Sequence, residues 1–104
     1  MTTPKAFAYT EVQLSVPFDQ APWRDLNPVL KSQPGLLNKT WLSGDKNQSV
    51  GGFYEFDSLE NARRFAYDYF PEEARKLGAA FTTRIFDGSI TEEASRQLNS
   101  PHYH

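Results

Sequence analysis

A chain of 104 residues with 11 basic and 13 acidic side chains, a net charge of −2 and no cysteine is the size of a single domain. Its basic residues are dispersed, which argues against a nucleic-acid binder, and the missing thiol excludes disulfides, thiolate metal sites and a cysteine nucleophile. No apolar run approaches the ~18 residues of a membrane-spanning helix, and the start, MTTPKAFAYTEVQ, lacks the basic stretch and apolar segment of a secretory signal, so a cytoplasmic protein with no membrane partner is expected.

Residues 6–16 alternate. Ala8, Thr10, Val12, Leu14 and Val16 fall on one face, and Phe7, Tyr9, Glu11, Gln13 and Ser15 on the other. A period of two with two distinct environments predicts a strand, ended by Pro17. Residues 22–33 place Trp23, Leu26, Val29 and Leu30 at helical spacing, with Pro28 expected to kink the helix or disturb its first turn. Pro34-Gly35 is a stop and turn. Residues 36–43 and 50–56 read as two strands joined by the turn-forming loop GDKNQS. The next helix spans 57–69, with Asp57 and Glu60 at capping-box spacing and Leu59, Ala62, Phe65, Ala66 and Tyr69 as its apolar stripe. Pro71 is expected to break it, leaving one short turn over 72–77 that Gly78 closes. Residues 79–87 form a fourth strand, and a short helix is expected at 91–98.

The order is β-α-β-β-α-β plus a tail, an α+β class with the ferredoxin-like split βαβ order and a four-stranded antiparallel sheet. Residues 1–89 make the domain and 90–104 the tail. Two helices cover only one face of such a sheet. The other face is left to the tail, to solvent or to a second copy, and its mixture of aromatic and charged residues fits a homodimer interface best.

Several residues together resemble the YdhR family of putative monooxygenases: Pro34-Gly35-Leu36, Lys39, Trp41, Lys46-Asn47, Gly51-Gly52, Tyr54, Phe56 and Phe86-Asp87. The resemblance runs from about Val12 to Asp87 and leaves out the tail from Ile90 onward. It implies the dimeric α+β barrel, in which two ferredoxin-like sheets pack face to face. It also implies a cofactor-independent monooxygenase acting on a small aromatic, such as a phenol, hydroquinone or polyketide-like ring. The same barrel hosts haem-degrading enzymes, cyclases, dehydratases, dismutases and binding proteins, so fold alone does not settle function.

The candidate residues follow from strand parity. Lys39, Trp41 and Ser43 share one face of the second strand, while Leu36, Asn38, Thr40 and Leu42 share the other. The apolar Ala8-Val12-Leu14-Val16 face should meet the helices, and Tyr9, Glu11 and Gln13 should point into the barrel, with Arg84 and Phe86 beside them. Trp41 either stacks on an aromatic substrate or packs in a core or interface. Tyr54 either relays a proton or packs across strands. Arg84 either stabilises a developing anion or pairs structurally with Glu11. Lys39 either contacts substrate or snorkels out of the sheet, since an uncompensated buried ammonium is costly. Gly51-Gly52 marks either a close ligand approach or a bulge or tight crossing.

On this reading Arg84, Tyr54 and Glu11 are the catalytic candidates, Glu11 being the base. Trp41, Lys39, Tyr9, Gln13 and Phe86 are the substrate-binding candidates. His102 and His104 fall short of a metal site and suit no haem, and no phosphate loop or dinucleotide fingerprint is present, so neither metal nor cofactor is expected. The alternatives are a non-catalytic module that binds a small apolar or aromatic molecule, and a cyclase or isomerase that uses the same pocket without dioxygen.

Overall fold

A computed structural model of the chain describes residues 5–14 and 23–103. The elements are β1 (Ala6–Gln13), α1 (Trp23–Lys31), β2 (Leu36–Ser43), β3 (Ser49–Phe56), α2 (Leu59–Arg63), a π-helical segment (Arg64–Tyr69), α3 (Phe70–Lys76), β4 (Phe81–Asp87) and α4 (Glu92–Gln97). The strands form one antiparallel sheet in the order β2-β3-β1-β4, the ferredoxin-like arrangement. The expected extension of the first strand to Val16 and its stop at Pro17 lie outside the described residues, as does Pro22.

Alternation in β1 and β3 sorts the sheet into two faces. Ala6, Ala8, Thr10 and Val12 pair with Phe56, Tyr54, Gly52 and Val50 on the face that the helices cover. Its core is Ala6, Ala8, Tyr54 and Phe56 packed against Leu30, Ala62 and Phe65. Phe65 stands 4.7 Å from the Tyr54 ring and 5.4 Å from that of Phe56, centroid to centroid. β3 lies between two neighbours and seven of its eight residues are buried, so both of its faces are interior.

Three local features depart from the sequence expectations. Leu37 is an extra residue at a register shift between Leu36 and Asn38. The shift turns Leu36 toward the core, where it packs, although simple alternation had put it with Asn38 and Thr40. The bulge therefore sits at Leu37 and not at Gly51-Gly52. Second, Ser58 is the N-cap of α2: its Oγ accepts from the Asn61 backbone N–H at 3.1 Å, while Asp57 accepts from the Asn61 side chain. Third, Pro71 does not break the long helix. The Phe70 N–H reaches back to the Phe65 carbonyl, an i→i−5 bond, and Pro71 enters the first turn of α3 directly behind this widened segment. Pro28 lies inside α1, which continues to Lys31.

The tail crosses the other face. Asn99 takes a positive φ of 61° after α4, and the chain then returns to the sheet. The Tyr103 hydroxyl donates to the Gly88 carbonyl at 2.6 Å, and the His102 ring lies 5.2 Å from Phe7 and 5.4 Å from Phe53. Beneath it, the Glu55 carboxylate is bound by Lys5 Nζ (2.7 Å), Asn38 Nδ2 (3.0 Å) and His102 Nδ1 (3.1 Å). Burial alone would push the Glu55 carboxyl up, but the hydrogen bonds from Lys5, Asn38 and His102 outweigh it and hold the group below the ordinary carboxylate range. The tail covers this end of the face. Leu42, toward the other end, and Phe86, on β4 beside Phe7, stay exposed.

Candidate functional site

A cavity of about 430 Å³ lies between the helix-covered face and the helices. The sheet contributes Thr10, Lys39, Trp41 and Tyr54, α1 contributes Leu26 and Leu30, and the long helix contributes Phe65, Tyr69, Phe70 and Ala74. Its size and largely apolar wall suit a small organic ligand.

Pairing register builds its polar corner. Lys39 lies opposite Tyr54 and Trp41 opposite Gly52, so three large side chains and one vacancy share a patch. The Lys39 stem fills the place where a side chain on Gly52 would begin. Gly51 faces the other way, where any Cβ would run into the Thr10 carbonyl of β1. The glycine pair therefore serves two close approaches, one by a side chain and one by a neighbouring backbone.

Lys39 Nζ sits 3.1 Å from the centroid of the Trp41 ring and 4.7 Å from that of Tyr54. Among the described residues it has no hydrogen-bond or ion-pair partner. Burial pulls the Lys39 amine down from 10.5 to about 7. The Trp41 indole N–H donates to Asn27 Oδ1 on α1 at 2.9 Å, which fixes the plane of the ring. The Tyr54 hydroxyl lies 2.9 Å from Thr10 Oγ1, and both side chains are buried. Burial pushes the Tyr54 phenol up to about 12, partly offset by the Thr10 bond, so it stays protonated near neutrality. Tyr69 is raised as well, by burial and then by the charge of Glu73.

The site residues expected from sequence do not form one cluster. Tyr54, Trp41 and Lys39 meet in the cavity. Glu11 and Arg84 lie on the opposite face, because odd positions of β1 and even positions of β4 point away from the helices. Nor do they pair with each other: Glu11 accepts from the Tyr9 hydroxyl at 2.7 Å, and Arg84 lies over the Phe86 ring at 5.5 Å. Tyr9 and Phe86 share that face, while Gln13 reaches the cavity rim at the end of β1, with its amide donating to the Asn47 carbonyl at 2.7 Å. The three catalytic candidates are thus divided between the two sides of one sheet, Tyr54 facing the helices and Glu11 and Arg84 facing away from them.

Sequence reasoning passed over Thr10, Asn27, Tyr69 and Phe70. Thr10 left a signal, as the single hydroxyl in an otherwise apolar alternation. Asn27 left none, since its partner Trp41 lies 14 positions away. Among the described residues no group of three His, Asp or Glu side chains could hold a metal ion, and no helix is long and apolar enough to cross a membrane.

Among solved structures, the chain is similar to a monooxygenase from the gene ActVA-Orf6 of Streptomyces coelicolor, crystallised in complex with the ligand nanaomycin D. Identity is 16%, the TM-score is 0.57, and the match covers 82% of this chain and 88% of that one. A haem-degrading protein of Mycobacterium tuberculosis matches at 14% identity and a TM-score of 0.49, over 81% of this chain and 92% of that one. At these identities the likeness to the first speaks for the fold. No curated protein sequence matches the chain. The family described as "Putative mono-oxygenase ydhR" matches residues 7–100, which takes in the sheet apart from Ala6, the cavity wall and α4. With that match over nearly its full length, the chain belongs to the ydhR family.

Proposed function

We propose that the protein is a cofactor-independent monooxygenase that oxidises a small planar aromatic, such as a phenol or hydroquinone, in the cavity between sheet and helices. The observation that carries this reading is the meeting of Trp41, Tyr54 and Lys39 on one wall of an otherwise apolar cavity of about 430 Å³. Trp41, held by Asn27, offers a flat surface on which a ring can stack. Tyr54 keeps its proton and can donate to an oxygen on which charge develops.

The reaction requires an ionised substrate. A phenolate carries charge into its ring and can pass an electron to dioxygen, and the two radicals then combine at the ring carbon. Loss of water leaves a quinone. One oxygen atom becomes the new carbonyl and the other leaves as water. The substrate gives up four electrons and two hydrogens, so no external reductant is needed. The protein's own part is to bind the ring, exclude water and supply preorganised donors. The active form is a cytoplasmic homodimer, its sheets packed face to face over the exposed Leu42 and Phe86.

The test is dioxygen uptake with a panel of phenols and hydroquinones, comparing the parent with Trp41→Ala. Uptake above the uncatalysed rate, lost in the folded variant, is the expected result. No uptake from compounds that still raise the melting temperature would overturn the enzyme reading in favour of a binding module. That second reading is favoured by one feature: among the described residues Glu73 is the one carboxylate on the cavity wall, it is 3.4 Å from Lys76 and 42% exposed, and none of them places a carboxylate base beside Tyr54.

A further inference from the structure

The least settled group in the cavity is Lys39. Its amine is enclosed by the rings of Trp41 and Tyr54, and its stem is seated in the vacancy at Gly52. By contrast, Lys5 pairs with Glu55 and Lys76 with Glu73, while Lys39 has no carboxylate among the described residues. Among the described residues the other titratable groups on the cavity wall are Tyr54, Tyr69, Glu73 and Lys76, and the carboxylate of Glu73 is paired with Lys76. Aromatic faces stabilise a cation weakly compared with an anion placed against it in a desolvated site. Among the described residues the corner therefore lacks one negative charge, and the space beside it is large enough for a ring that carries one.

We infer that the cavity selects aromatic ligands bearing an acidic oxygen, a phenolate or carboxylate on a one- to two-ring system, and that Lys39 recognises that oxygen as an ammonium. This rests on reading the cavity as the ligand site and narrows its ligand class. A neutral phenol that enters gives its proton to the Lys39 amine, and an ammonium–phenolate pair results with nothing exchanged with solvent. A ligand already ionised in water enters as the anion, and the protein takes one proton from solvent to charge Lys39. The same step would deliver the ionised form of a phenol that reaction with dioxygen requires.

Lysine and arginine differ here in a measurable way. An arginine would attract the same anion, but it is permanently charged and would take up no proton.

The experiment is titration calorimetry of the full chain at about pH 6 and about pH 8.5, below and above the value near 7 of the Lys39 amine, in buffers of different ionisation enthalpy. The probes are 2-naphthoate and the neutral 2-methylnaphthalene, neither of which needs to be turned over. For the parent at about pH 6, where the Lys39 amine is already charged, naphthoate should bind on the order of tenfold to a hundredfold more tightly than methylnaphthalene, the range expected for a hydrogen bond to a charged group; at about pH 8.5 the cost of charging the amine reduces that preference. At the higher pH naphthoate binding should draw about one proton from the buffer. Lys39→Met should lose both the preference and the proton uptake while still binding methylnaphthalene, which shows that its cavity is intact. Lys39→Arg should keep the preference and lose the uptake. The inference is overturned if the parent at the lower pH binds naphthoate no better than methylnaphthalene, if it binds neither, or if proton uptake persists in Lys39→Arg. Because binding and dioxygen uptake are read separately, the anion preference can fail with oxygenation intact, and oxygenation can fail with the preference intact.

Discussion

Glu55 and Lys39 lie on adjacent strands of one sheet and point to opposite sides of it. Each is a charged side chain drawn away from water, and their surroundings could hardly differ more. Glu55 is 4% exposed and receives Lys5, Asn38 and His102, which reach it from the start of the chain, the edge strand and the tail. Lys39 has two aromatic faces and, among the described residues, no polar partner. A buried charge surrounded by partners organises structure, and here it fastens the tail to the sheet. A buried charge left without partners destabilises the fold unless something else completes it. The difference separates a structural face from a ligand-binding one more clearly than residue type does.

The comparison predicts stability changes of opposite sign. Glu55→Ala should destabilise by about 2–3 kcal/mol, since it strands Lys5 and releases the tail, with the figure reduced because Lys5 keeps some contact with water. Urea denaturation would measure it, and an unchanged midpoint would remove Glu55 as the organising charge. Lys39→Met should instead stabilise by on the order of 1–2 kcal/mol near neutral pH, while abolishing anion binding. A destabilised Lys39→Met would mean that the lysine is structural.

The pH dependence sharpens both arms. Lys39 has a folded value of about 7 against an ordinary 10.5. Between the two the unfolded chain carries the proton and the folded chain does not, so stability should rise with pH across that window, and Lys39→Met should flatten the rise. Glu55 is depressed below its ordinary 4.5. Its contribution is present above that value and is lost as pH falls through the lower folded one, a loss that Glu55→Gln should remove. Thermal melts from acid to about pH 10 would resolve the two slopes.

Smaller effects mark the edges of each region. Tyr54→Phe should cost about 1–2 kcal/mol, because the fully buried Thr10 hydroxyl loses its partner. Tyr103→Phe should cost about 1 kcal/mol through the lost bond to the Gly88 carbonyl, without altering ligand binding in the cavity on the far side. A change in naphthoate affinity in Tyr103→Phe would show that the two faces are coupled.

Local pattern along the chain sets the element order, the strand lengths to within two or three residues over the described part, and, outside the bulge in β2, which residues share a face within each strand. These are properties of local periodicity, visible wherever apolar residues recur every second or every third to fourth position. It also groups Lys39 with Trp41 and, apart from the single residue at the bulge, separates them from Asn38, Thr40 and Leu42. Only the folded sheet settles which face of one strand joins which face of the next. That parity is set by long-range register: Lys39 opposite Tyr54 brings the amine to the cavity, and Tyr9 opposite Arg84 puts the guanidinium on the other side. A shift of one residue would exchange the two faces, and no local pattern in Glu11 or Arg84 encodes it. The path of the tail was hidden for the same reason: the partners of His102 and Tyr103 lie 47 and 15 positions away, and only the folded chain brings them together.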